Sequence, residues 1–381
     1  KSGVYLDHGQ TPTEEVLSSS RFLQVRDHSL ELPVFMPDAT YGYVRSLTSS
    51  DLKEVGLPIL MMNAFHLMQK PGSSLISTLG GLHKMAAWDG LIMTDSGGFQ
   101  AYSLIRQNAK FGSLTEKGIV FFPEGSSRKL LLTPEKSIQL QMGYGSDILV
   151  CLDDCTHVSA SRAEQEASVT RTLAWAARAK ASYQTQLKSR KWTDQERPLL
   201  FAVIQGGGEL DLRRRCAEGL LEIGFDGFGF GGWPLDEDSN LITDILEYTR
   251  SLIPREFPIH ALGIGHPAGI VTSYQLGYEM FDCALPTRDA RHGRLYTWSE
   301  ANAPLTSDGL WLKFRYINTE DNFRDSGPIS PDCDCECCRE YSMGYLFHLY
   351  RMRDSSYMRL ATKHNLRFMT RLIKRLRYPN A

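Results

Sequence analysis

Leu199-Leu-Phe-Ala-Val-Ile-Gln-Gly-Gly207 is followed by a helix-patterned stretch over 209–223 and then by Gly227-Phe-Gly-Phe-Gly231. An uninterrupted apolar run, a helix and a second apolar run make a βαβ unit with strands buried on both faces. The alternation extends along most of the chain. Candidate strands fall at 33–37, 58–63, 91–94, 147–153, 199–205, 227–231, 259–263 and 280–285. Helical patterns cover 161–187, 209–223, 239–252 and 268–278. Residues 113–133 read instead as a hairpin, 118–122 and 129–133 joined by Pro123-Glu-Gly-Ser126. Eight buried strands interleaved with helices predict an α/β fold, a (β/α)8 TIM barrel. A doubly wound open sheet is the alternative. No Gly-x-Gly-x-x-Gly follows the first strand and there is no P-loop, which weakens it.

The acids and glycines gather at the ends of these runs. Asp95 follows Leu91-Ile-Met-Thr, Asp153 and Asp154 follow Ile148-Leu-Val-Cys-Leu, and Gly231-Gly232 follows Phe228-Gly-Phe. Gln205 closes the quoted run, and Asp282 lies within Met280-Phe-Asp-Cys-Ala-Leu-Pro286. In a barrel these are C-terminal strand ends, the face where active sites are built. Carboxylates there can act as nucleophile, general acid or base, or acceptors for the N–H groups of a heterocycle. Helix capping explains any one of them, but explains the whole set poorly. A carboxylate nucleophile with a second acid suits chemistry at an anomeric carbon.

A second signal lies near the C-terminus. Cys333-Asp-Cys335-Glu-Cys337-Cys338, with His364 after 25 further residues, supplies the donors of a closed tetrahedral Zn2+ site. Cys333, Cys335, Cys338 and His364 already make four, which leaves Cys337 as an alternative ligand. A closed site is structural, so the chemistry belongs elsewhere. The other four cysteines are scattered, no disulfide framework is suggested, and the thiols need a reducing compartment. There is no signal-like or membrane-spanning apolar run, so a cytoplasmic protein is expected. Net charge is −2 and does not itself point to a polyanion, but the tail is basic. Arg359, Lys363, Arg367, Arg371 and Arg375 recur every four residues and form one helical stripe. That stripe reads either as a solvated face or as a nucleic-acid backbone contact.

Thr94-Asp-Ser-Gly-Gly-Phe-Gln100, Phe281-Asp-Cys-Ala-Leu-Pro-Thr-Arg288 and the Cys-x-Cys-x2-Cys-x25-His block resemble the signatures of the queuine tRNA-ribosyltransferase (tRNA-guanine transglycosylase) family, bacterial type. Asn63-Ala-Phe-His-Leu-Met68, Leu79-Gly-Gly-Leu-His83 and Gly145-Ser-Asp-Ile148 add to the resemblance, which runs from about Leu32 onward. It implies an irregular barrel with a zinc-binding subdomain near the C-terminus. The expected division is an N-terminal extension over 1–31, the catalytic barrel over 32–300, and over 301–381 the zinc subdomain with a basic helix completing the barrel. It implies exchange of the guanine at the tRNA wobble position for a 7-deazaguanine, preQ1 or queuine. Asp282 would be the nucleophile on C1′, forming a covalent ribosyl ester, and Asp95 the general acid/base. Asp153 would accept from the base's N–H groups, Gln205 and the Gly232 N–H would donate to its exocyclic oxygen, and Phe99 would stack on one face. Arg288 and Arg291 match arginines that contact the anticodon loop; a surface pair with Asp289 is the plainer explanation. A homodimer is expected, with no membrane association and no cofactor beyond one zinc ion.

This chain departs from the family's pattern at Gly231-Gly-Trp233-Pro-Leu-Asp236, around the 7-substituent. Leu235 in this segment, and Cys155 in Asp153-Asp-Cys-Thr156, where bacterial-type members have cysteine, favour the smaller preQ1. Leu262 stands where methionine usually forms the second stacking face. Both aspartates are kept, unlike in the inactive partner subunit of eukaryotic heterodimers. Two alternatives stay open: the same exchange on DNA, and a catalytically silent RNA-binding subunit.

Overall fold

The computed structural model describes residues 21–107, 110, 112–122, 129–157, 159–236 and 238–379. Eight strands form one parallel sheet: β1 (Val34–Pro37), β2 (Ile59–Asn63), β3 (Leu91–Asp95), β4 (Ile148–Val150), β5 (Leu199–Ile204), β6 (Gly227–Phe230), β7 (Ile259–Ala261) and β8 (Met280–Cys283). Their hydrogen-bonded order is β1-β8-β7-β6-β5-β4-β3-β2. A parallel bridge between Asp38 and Met61 returns β1 to β2, with the Ala39 N–H donating to Met61 O at 2.7 Å. The sheet is therefore a barrel rather than an open doubly wound sheet.

Strand alternation divides the core into an inside and an outside. Met36, Met61, Met93, Val150, Val203 and Met280 fill the interior. Their neighbours, such as Phe35, Leu60, Ile92 and Leu149, meet the helices outside. The same parity turns Asp95 and Gln205 inward, because they lie two residues beyond Met93 and Val203, and Asp282 stands likewise beyond Met280. The mouth chemistry thus follows from the strand period itself.

Residues 21–32, which the sequence leaves without a role, form an antiparallel hairpin of Arg21–Val25 and His28–Leu32. Val25, Leu30 and Leu32 join the interior cluster. Arg26 bonds Asp147 at 2.8 Å, at the N-terminal end of β4, so the hairpin closes the barrel floor. Residues 1–20 of the expected extension lie outside the described residues. The expected hairpin at 113–133 is a three-stranded antiparallel sheet of Gly112–Thr115, Gly118–Phe121 and Leu130–Leu132. Its Pro123–Ser126 turn lies outside the described residues.

After β8 come the helix Leu285–Arg291, a hairpin of Arg294–Trp298 with Leu312–Tyr316, three short helices and the long helix Ser355–Arg377. Leu366, Phe368, Met369 and Leu372 of that last helix belong to the main core. Cys333, Cys335, Cys337 and Cys338 lie in a separate apolar cluster with Leu346, Phe347 and Tyr357. No described helix is long and apolar enough to cross a membrane.

Candidate active site and metal centre

Three carboxylates meet at the C-terminal mouth of the barrel, and no lysine or arginine pairs with any of them among the described residues. Asp95 ends β3. Asn63, at the end of β2, donates Nδ2–H to Asp95 Oδ2 at 3.1 Å. The Asn63 Oδ1 accepts the His66 N–H at 3.0 Å, capping the following helix, so helix start and acid are fixed by one side chain. Burial is the largest influence on Asp95 and raises its pKa; the charge of Asp282 raises it further, against Gln100 and the Ser96 and Gly97 amides. Asp153 is pushed up to about 7, by burial first and then by the charge of Asp95. Like charges crowded in a poorly solvated mouth favour keeping protons.

Asp153 and Asp154 are adjacent but do different work. Arg171 forms an ion pair with Asp154, which anchors it to the long helix Arg162–Arg190. Asp153 instead accepts from Gln205 Nε2 at 2.6 Å. The other atom of that amide, Gln205 Oε1, is buried without a partner among the described residues, as is Gln100 Oε1. Buried orphan acceptors are uncommon in a finished core and mark a place where a donor-bearing ligand fits.

Glycines let these groups come together. A Cβ on Gly231 would lie 2.4 Å from Gln205 Nε2, and one on Gly98 would lie 2.9 Å from the Asp153 carbonyl oxygen. Gly232 follows with φ +95°, a left-handed turn that aims its peptide away from the strand. The turn is locked by Arg213, a fully buried guanidinium. It donates to Ile204 O and Gly207 O at 2.8 Å and to Gly231 O at 2.9 Å. Sequence reasoning passed over Arg213 and Asn63, because each lies inside a helix or motif with no chemistry of its own.

Phe99 and Trp233 both stand half-exposed at the mouth, with ring centroids 6.3 Å apart and planes 22° from parallel. Leu262 packs on the interior cluster, below Gly229, where a Cβ would meet it at 2.5 Å. Leu235 bridges Leu241, so the departing segment folds into its own small turn beside the site.

Arg288 and Arg291 lie on the helix that follows β8. Neither pairs with Asp289, which accepts from the Tyr296 hydroxyl at 2.7 Å and sits 3.7 Å from Arg294. That removes the surface-pair explanation. Arg291 is lowered by burial first and then by the charges of Arg45 and Arg288, although Asp38 opposes the change. Its Nη1 is buried without a partner among the described residues.

Away from the mouth, the ligand atoms of Cys333, Cys335, Cys338 and His364 all lie within 4.8 Å of one another, and all four residues are buried. His364 Nδ1 is 3.2 Å from Cys338 Sγ and 3.8 Å from Cys335 Sγ. Its Nε2 donates to Tyr296 O at 2.8 Å, which turns Nδ1 toward the thiols. Ligand bonds of about 2.3 Å to a tetrahedral ion require separations of just under 4 Å, so the set fits one metal ion. Cys337 is outside it; burial pushes that thiol well up and it serves the apolar cluster.

The basic stripe is neither a solvated face nor a free cationic surface. Arg371 meets Asp332 at 3.4 Å, Arg367 meets Asp334 at 2.6 Å, and Arg359 and Lys363 both meet Glu336. Lys363, fully buried, also bonds Glu54 at 2.6 Å, and Arg359 bonds Asp51 at 2.6 Å. Arg375 donates to Ala303 O and covers the Trp298 ring at 4.5 Å. Four helical residues rise about 6 Å, and two extended residues advance about 6.6 Å. The acids alternating with the cysteines therefore match the helix step for step, and the stripe clamps the thiol loop. Both open readings of the stripe took it as free, and the acids that pair with it lie in another part of the sequence.

A sequence model of the family described as Queuine tRNA-ribosyltransferase matches residues 20–378. The chain belongs to that family. The Queuine tRNA-ribosyltransferase of Lysinibacillus sphaericus is 38% identical over 349 residues, covering 92% of this chain and 85% of the relative. That of Pseudoalteromonas translucida is 37% identical over 348 residues, covering 91% and 86%. That of a Psychrobacter species is 36% identical over 359 residues, covering 93% and 87%. The chain is thus a tRNA-guanine pentosyltransferase by family, matched to these relatives over about nine-tenths of its length.

Proposed function

We propose that this enzyme exchanges guanine in tRNA for a 7-deazaguanine through a ribosyl ester on Asp282. The observation that carries the reading is the set of three carboxylates that no lysine or arginine neutralises among the described residues, beside buried acceptors that lack donors there. A guanine-type base offers a row of N–H groups to Asp153, while Gln205 Nε2, which bonds Asp153 with one hydrogen, keeps a second for the base's exocyclic oxygen. In the first half-reaction an Asp282 oxygen bonds C1′ as the C1′–N9 bond breaks, and the electron pair leaves with guanine. Asp95, whose raised pKa keeps a proton available, protonates the departing base. In the second half, N9 of the incoming base bonds C1′, its proton passes to Asp95, and the ester pair returns to Asp282. Phe99 and Leu262 would hold the base between them, Trp233 would border it, and the Gly232 N–H would meet its exocyclic oxygen.

Arg288 and Arg291 would hold the phosphates of the anticodon loop, supported by their lack of ion-pair partners among the described residues. The thiol–imidazole set is suited to one Zn2+, held by Cys333, Cys335, Cys338 and His364; bound there, it would hold the thiol loop and take no part in the exchange. Leu235 and Cys155 favour preQ1 over queuine. A homodimer in the cytoplasm completes the proposal.

The test is release of labelled guanine from the tRNA wobble position with preQ1, queuine or neither, beside guanine-containing duplex DNA. Release from tRNA that depends on an added 7-deazaguanine is expected. Release from DNA alone would overturn the partner, and silence on both would overturn the activity.

A further inference from the structure

His260 occupies a place in the barrel where an aliphatic side chain would pack at less cost. Ile259 and Ala261 on either side face the outer core, so His260 faces inward, paired in register with Met280 of β8. The imidazole is 1% exposed. Its Nε2 lies 2.8 Å from Asp282 Oδ1, and the Gly263 N–H donates to the same oxygen at 2.9 Å. Nδ1 is buried with no partner among the described residues. Leaving that nitrogen unsatisfied costs about 1–3 kcal/mol, which packing alone would not select. Its one bond, to a carboxylate, is of the stronger charge-assisted kind. A carboxylate only accepts, so Nε2 carries the hydrogen.

Two donors thus converge on Oδ1, whereas Oδ2 receives no hydrogen bond among the described residues. We propose that His260 is a positioning residue for Asp282, holding Oδ1 with Gly263 so that Oδ2 is the atom that bonds C1′. This role rests on the reading of Asp282 as the nucleophile. It has a consequence for each half of the exchange. When Oδ2 forms the ester, Oδ1 becomes its carbonyl oxygen and keeps both donors. When the incoming base breaks the Oδ2–C1′ bond, the pair returns to a carboxylate whose charge those donors stabilise. Loss of the histidine donor therefore slows ester breakdown more than ester formation.

The experiment traps the RNA–protein adduct, maps it, and follows its decay after addition of the incoming base. It compares the full-length protein with His260→Phe and His260→Gln. Phenylalanine keeps the ring and removes the donor; glutamine restores an N–H at similar reach. Expected are an adduct on Asp282 in every case, decay about 10²-fold slower in His260→Phe, an unchanged KM for tRNA, and recovery of most of the rate in His260→Gln. Unchanged decay in a folded His260→Phe, or equal loss in both variants, would overturn the role of His260 alone. If the phenylalanine variant does not fold, His260→Asn, too short to reach Oδ1, takes its place with the same expectations. An adduct on another residue of the unmodified protein would overturn the nucleophile assignment and this role with it.

Discussion

The barrel mouth and the thiol loop both concentrate acidic side chains, and they treat them in opposite ways. At the mouth, Asp95 and Asp153 sit in a buried setting beside another acid, and both are raised. Against the C-terminal helix, burial would raise Asp51 too, but Arg359, Thr48 and Lys363 outweigh it and hold it at about 2. Arg367 lowers Asp334, and Arg359 with Lys363 lowers Glu336. Matched charge makes a clamp, and unmatched charge makes a site that holds a proton and waits for a ligand. The difference is not one of acid content, since acids gather in both regions. It lies in whether a cation from elsewhere in the chain arrives within bonding distance.

The comparison can be broken at the mouth first. Asp95→Ala should lower turnover by about 10³-fold or more with little change in Tm, since its carboxyl supports chemistry and not packing. Rates of single turnover beside thermal melts decide this. On the other side, Lys363→Met should destabilise by about 1–3 kcal/mol, because Glu54 loses its cation and Asp51 and Glu336 keep only that of Arg359. Denaturant titration measures it, and a chelator should strip metal from the variant faster.

The two kinds of acid also give opposite pH responses. Folded Asp153 keeps its proton up to about 7, against 3.8 when unfolded. Between those values the folded state binds the extra proton, so stability falls as pH rises through the window. Asp153→Asn should flatten that slope, raise Tm at pH 8 by a few degrees, and weaken base binding by about 10–100-fold. Asp51 reverses the sign: its unfolded form binds the extra proton between 3.8 and about 2, so its contribution is present above 3.8 and lost as pH falls through about 2. Melting curves across pH separate the two. The smallest effect belongs to RNA binding. Arg288→Ala should reduce the slope of log affinity against log salt by about 0.7. Arg371→Ala should leave that slope unchanged, because its charge is already paired with Asp332.

The barrel was legible because each strand is a short apolar run buried on both faces, and period two then places Asp95, Gln205 and Asp282 on one rim. The metal ligands were legible because three lie within six residues. What escaped were features with partners far along the chain. Arg213 looks like any arginine in an amphipathic helix until its guanidinium is found bridging the ends of β5 and β6. His260 was one of ten histidines without a pairing motif, and only strand register sets it beneath Asp282. The basic stripe was read correctly as a stripe and wrongly as a free one, since periodicity reports a face and not what covers it. Residues 21–32 carry no motif, yet they seal the floor through Val25, Leu30 and Leu32.

The most direct test of the central claim is release of labelled guanine from tRNA by the unmodified chain and by Asp282→Asn, each with preQ1 added. Base exchange and a trapped RNA adduct in the first, and neither in a folded second, are the predicted result. An adduct or normal exchange with Asp282→Asn would contradict the account and move the nucleophile to another group at the mouth.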